Sequence, residues 1–88
     1  HPEAVKKDLT TRLNRIEGQI RGIKGMIEKD IYCDDVITQL SATQSALNSV
    51  AKILIEGHIK GCVVDRLNEG NLEVIDELVV TIQKLMKK

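Results

Sequence analysis

An all-α protein of three helices, long, long and short, is what this sequence predicts, and three observations carry that prediction. Apolar residues recur at alternating spacings of four and three, the helix period, rather than at every second position. Tyr32 is the only aromatic residue, so the core must be built from Leu, Ile, Val, Ala and Met, as helical assemblies often are. No strand signal, internal repeat, Gly-rich loop or low-complexity tract interrupts the pattern.

In the first helix, Leu9, Leu13, Ile16, Ile20, Ile23 and Ile27 make a narrow amphipathic seam, and Pro2 suits the first turn. Its expected span is about residues 3–28, with "EKDIYCDD" as the connection. The second helix, capped by Asp34 or Asp35, carries Val36, Leu40, Thr43, Leu47, Val50 and Leu54 at heptad spacing. A second stripe runs through Ala51, Ile55, His58, Cys62 and Arg66, and the helix is expected to reach about Leu67 and stop near Gly70. Asn71 then caps the third helix, with Leu72, Ile75, Leu78, Val79, Ile82 and Leu85 or Met86 as its apolar face. It ends in "KLMKK", whose positive charges suit a helix C-terminus.

Eighty-eight residues, 42% hydrophobic and 30% charged, read as a single soluble globular domain. A helix over residues 34–67 would run roughly 50 Å, against a diameter of roughly 31 Å for a compact chain of this size. The second helix therefore overhangs its own domain, and its apolar stripes are expected to pack on another copy. A helical oligomer follows.

The net charge is zero but unevenly placed: residues 1–29 hold seven Lys and Arg against four Asp and Glu, residues 30–59 one against four. A basic first helix is a footprint for an acidic partner, weighed against an ordinary solvated face. With no 18-residue apolar run and no signal-peptide pattern, a cytoplasmic protein without a membrane partner is expected. Two cysteines in that reducing compartment point to metal binding or thiol chemistry before a structural disulfide.

His58 and Cys62 stand at i and i+4, so on a helix they reach the same atom; alone, such a pair is more often an interface than a site. Cys33, 29 residues upstream along nearly continuous helix, would lie roughly 40 Å from Cys62 in one chain. If two second helices pair antiparallel about a two-fold axis, Cys33 of one chain approaches His58 and Cys62 of its partner. Two thiolates and an imidazole suit Cu(I), with zinc possible if a fourth ligand completes a tetrahedron. The sequence has no Ser-His-Asp grouping and no general-base carboxylate beside a nucleophile, so neither catalysis nor a small-molecule substrate is expected.

"TTRLNRIEGQIRGIKGMIEKDIYCDDVITQLSATQSAL" followed by "HIKGC" resembles the copper-sensitive operon repressors (CsoR), over essentially the whole chain. The resemblance implies an all-helical protomer, an antiparallel dimer and a dimer-of-dimers tetramer that binds operator DNA without a helix-turn-helix. It implies Cu(I) held by Cys33 of one protomer with His58 and Cys62 of the other, and Tyr32 and Glu77 as residues around those ligands that couple metal to DNA release. It further implies DNA contacts from Arg12 and Arg15, which share a stripe with Gln19, and from Lys52. The implied function is a repressor bound to its operator when metal-free and released by Cu(I), derepressing copper-export genes. Relatives answer to nickel or cobalt, formaldehyde or reactive sulfur species. His58 argues against the persulfide sensors, which lack it, and Cys62 against the nickel and cobalt sensors, which carry His there and use an N-terminal His; His1 is read as a loop residue. Outside the metal-sensing class stand a thiol-based redox regulator crosslinked through Cys33 and Cys62, and a purely structural helical module.

Overall fold

The computed structural model describes residues 1–87, which are helical apart from short turns and contain no strand. Helix α1 spans Glu3–Glu28, the expected range. Pro2 precedes the helix rather than entering its first turn, and its carbonyl accepts the N–H groups of Val5 and Lys6 at 3.1 and 3.0 Å. The helix stops because Asp30 turns left-handed, at φ +55°. Its N–H donates to the Ile27 carbonyl and that of Ile31 to the Met26 carbonyl, at 3.1 and 3.0 Å, which pairs two of the carbonyls orphaned at the helix end.

Helix α2 spans Cys33–His58. It starts ahead of the expected cap: the Tyr32 carbonyl takes the first N–H bonds, from Asp35 and Val36, and Asp34 and Asp35 fall inside the first turn. Their charges are favourable there beside the positive end of the helix dipole. Past His58 the backbone does not continue as one α-helix, as expected, but passes through a π-helical turn over Ile59–Val63 into a short α3, Val64–Asn68. Gly70 then adopts φ +86°, a conformation that costs glycine little and any L side chain more. The N–H of Gly70 bonds the Leu67 carbonyl and that of Asn71 the Arg66 carbonyl, at 3.0 and 2.9 Å. The last helix, α4, spans Glu73–Met86 with Leu72, not Asn71 as expected, at its N-cap position; Asn71 stands one residue earlier, where its Oδ1 accepts the Glu73 N–H at 3.1 Å.

The chain forms two compact units, His1–Val50 and Ala51–Lys88. In the first, the buried residues are Leu9, Ile16 and Ile23 of α1 and Val36, Thr43 and Val50 of α2, each set spaced by seven. A seven-residue spacing of buried positions is the pattern of a coiled-coil seam. Thr43 is accommodated in it because its hydroxyl donates to the Gln39 carbonyl at 3.0 Å. The alternate members of the expected seam, Leu13, Ile20 and Ile27 on α1 and Leu40 and Leu47 on α2, are exposed. In the second unit the two best-buried residues are Val63 in the π turn and Val74 in α4, and α4 packs directly on the π turn. Burying each such valine contributes about 1.5–3 kcal/mol.

Candidate metal centre

His58 and Cys62 sit in the second unit, on the segment where the helix changes pitch. Gly57 and Gly61 flank this point, and glycine is the poorest helix former after proline, which loosens the α ladder. A Cβ at Gly61 would meet nothing within 4 Å, so that glycine makes no room for this chain's own atoms. A π turn closes by i→i+5 bonds and occurs mostly as a single turn inside helices, frequently at functional sites. Cys62 therefore lies within one turn of His58, although the strict α stacking expected of the pair is altered. His58, the last residue of α2, is half-buried; Cys62, inside the π turn, is exposed with a free thiol.

Cys33 is the first residue of α2 and also carries a free, exposed thiol. Tyr32, just before it, is 73% exposed, and His1 lies ahead of α1, exposed. Among the described residues, no three His, Cys, Asp or Glu side chains of one chain converge on a point that could hold a metal ion. The donors themselves fit a soft ion: two accessible thiols and an imidazole, with His58 and Cys62 adjacent in the chain path.

Glu77, in the first half of α4, is engaged by a residue that carried no assigned role. Arg66 Nη1 donates to Glu77 Oε2 at 2.9 Å, an ion pair joining α3 to α4 across the Gly70 turn. The two residues lie on different helices, so no spacing within one helix pairs them. On α1, Arg12 Nε donates to both carboxylate oxygens of Asp8, at 3.2 and 3.3 Å, the ordinary i, i+4 helix pair. Arg15 and Lys52 are exposed cations. Gln19, half-buried on the stripe of Arg12 and Arg15, has a buried Oε1 with no hydrogen-bond partner.

No helix among the described residues is long and apolar enough to cross a membrane. Residues 5–84 match the model of the family described as metal-sensitive transcriptional repressor, a range that runs through both units. The chain is 45% identical to the copper-sensing transcriptional repressor CsoR of Bacillus subtilis (strain 168), over 99% of this chain and 88% of that protein. Its fold matches the copper-sensing repressor CsoR of Geobacillus thermodenitrificans NG80-2, solved with Cu(I), with a TM-score of 0.91 and 38% identity, covering 99% and 92% of the two chains. The nickel-responsive transcriptional regulator InrS matches with a TM-score of 0.78 and 35% identity over 90% of each chain. With the fold, the nearly full-length family match and these identities together, the chain belongs to the metal-sensitive transcriptional repressors.

Proposed function

We propose that this protein is a Cu(I)-responsive repressor: metal-free, it binds operator DNA, and Cu(I) binding releases it and derepresses copper-export or resistance genes. The observation that carries the reading is the pairing of His58 with a free, exposed Cys62 in the π turn, with a second free, exposed thiol at Cys33. Cys33 of one protomer with His58 and Cys62 of its partner form the site, which needs an antiparallel dimer and, with two dimers, a tetramer. The exposed stripes through Leu13, Ile20 and Ile27 and through Leu40 and Leu47 support such packing, since unpartnered heptad stripes of this kind are normally covered by another helix. Bound Cu(I) supplies a crosslink between the start of one α2 and the end of its partner's. Tyr32 and Glu77 hold the surroundings of the ligands and relay their state.

Operator DNA is held through phosphates by Arg12, Arg15 and Lys52, cations that read shape and charge rather than a recognition helix. Arg12 brings its Asp8 partner along, so Arg15 is the stronger contributor. Both units act as one metal-sensing, DNA-binding domain in the cytoplasm, with no catalytic role, no small-molecule substrate and no membrane partner. The relatives named above are copper-sensing in two cases and nickel-responsive in one; Cys62, a soft donor, favours copper.

Titrating a labelled operator fragment under anaerobic, reducing conditions, with and without Cu(I), tests this. DNA affinity should fall about 5–150-fold with Cu(I), the range of a typical coupling between sites, and Cu(I) affinity should fall by the same factor on DNA. Arg15→Ala and Lys52→Ala should each flatten the log-log salt dependence by about one unit while leaving Cu(I) affinity unchanged. An affinity for DNA that ignores Cu(I) sinks the proposal. A second reading, favoured by the exposure of both thiols, is an oxidant sensor that crosslinks Cys33 to Cys62 between chains; it predicts a dimer on non-reducing gels and indifference to His58→Ala.

A further inference from the structure

We infer that Arg66 is a positioning residue for metal sensing: by clasping Glu77 across the Gly70 turn, it sets how α4 lies on the π turn that carries Cys62. The inference rests on the function proposed above and names the part of the protein through which the ligand-bearing segment is tied to its neighbour. Three features of the second unit converge on it. Arg66 follows Cys62 by four residues, in the short helix that leaves the π turn. Val63, the residue next to Cys62, is 2% exposed, and Val74, one turn before Glu77 on α4, is 1% exposed. Because α4 packs on the π turn itself, any backbone adjustment at Cys62 must be accommodated by α4.

Apolar packing of α4 on the π turn resists separation but fixes rotation and sliding poorly, since it is non-directional. The Arg66–Glu77 hydrogen bond, at 2.9 Å, is directional and anchors α4 three residues beyond Val74. The turn between the helices is separately held by the Gly70 and Asn71 N–H bonds, so the connection survives without the ion pair while the placement of α4 loosens. Both side chains are about half exposed, 49% for Arg66 and 60% for Glu77, which keeps the pair weak enough to exchange. A contact of that kind biases a two-state element without locking it.

The test uses the full chain and four variants, Arg66→Gln, Glu77→Gln, the two combined, and the charge swap Arg66→Glu with Glu77→Arg. Three quantities are read for each: Cu(I) affinity by chelator competition, DNA affinity without metal, and the factor by which Cu(I) lowers DNA affinity. Arg66→Gln should keep the metal-free DNA affinity and the unfolding midpoint close to those of the unaltered chain. Its coupling factor should shift about three- to fivefold, the most an exposed pair supplies. Glu77→Gln should shift it at least as far, since Glu77 also stands among the residues around the ligands, the combined variant no further than Glu77→Gln, and the swap should recover the part that Arg66→Gln loses, which a merely structural role would not produce. If the unaltered chain responds to Cu(I) but Arg66→Gln has the same coupling factor, or if the single effects simply add, this assignment is overturned and the copper-responsive reading stands. If the unaltered chain shows no response to Cu(I), both are overturned.

Discussion

Cys62→Ser should lower Cu(I) affinity by more than the roughly 10–100-fold typical of losing an outer partner of a metal ligand, because it removes a ligand itself. A serine hydroxyl is a hard, poorly ionised donor, and the preference of a soft ion for sulfur is lost with the thiolate. Cys62 is exposed and serine is close to it in size, so the variant should fold and bind DNA like the unaltered chain. It should stay on the operator at Cu(I) concentrations that release the parent, read by anisotropy with a chelator-buffered Cu(I) series. His58→Ala should differ in kind: two thiolates remain, so some Cu(I) binding persists, while the release from DNA is blunted. If Cys62→Ser binds Cu(I) as tightly as the parent, the ligand assignment is wrong.

The second large effect is on folding. Val74→Asp places a carboxylate at a position 1% exposed, on the helix that packs against the π turn. An uncompensated buried charge costs about 3–5 kcal/mol, a large share of the stability of a domain this small. Val74→Ala removes only apolar contact and should cost about 2 kcal/mol. In circular dichroism and hydrogen exchange, Val74→Asp should lose the protection of α4 while the α1 and α2 amides of the first unit, whose core is built on Leu9, Ile16, Ile23, Val36 and Val50, stay protected. Full protection of α4 in that variant would show that its anchoring lies elsewhere.

Much of this architecture is legible in the sequence, and the reasons differ element by element. The span of α1 follows from an uninterrupted run of apolar positions between Pro2 and the "EKDIYCDD" connection. The end of α3 is legible at Gly70, which takes the left-handed conformation, whereas the start of α4 falls one residue later than Asn71 suggests, with Leu72 at the N-cap. The start of α2 is ambiguous in the sequence because Asp34 and Asp35 serve equally well as caps and as first-turn charges, and only the hydrogen bonds of the Tyr32 carbonyl decide. The π turn is invisible to apolar periodicity, since five residues are too few for periods of α and π helices to diverge; Gly57 and Gly61 were the only hint.

At the site, residue types spoke more clearly than geometry. His58 and Cys62 at i, i+4 and the solitary Cys33 are legible as soft donors, and the chain path keeps them on one helical run. Half of the expected apolar seam turned out to be buried within the chain and half exposed, a division that heptad spacing cannot assign because both halves share the same period. The Arg66–Glu77 pair depends on how the chain turns at Gly70, and the unpartnered Gln19 Oε1 on how the α1 side chains pack; neither is a pattern along the sequence.

The central claim is that one Cu(I) is held between two chains, by Cys33 of one and His58 and Cys62 of the other. Mixing two single variants measures it directly. Cys33→Ser and Cys62→Ser homodimers should each lack tight Cu(I) binding, whereas a mixed dimer keeps one intact set: Cys33 from the Cys62→Ser chain with His58 and Cys62 from the Cys33→Ser chain. A chelator-competition titration of tagged, purified mixed dimers should therefore recover one tight Cu(I) per dimer. Recovery of none would contradict the bridging site.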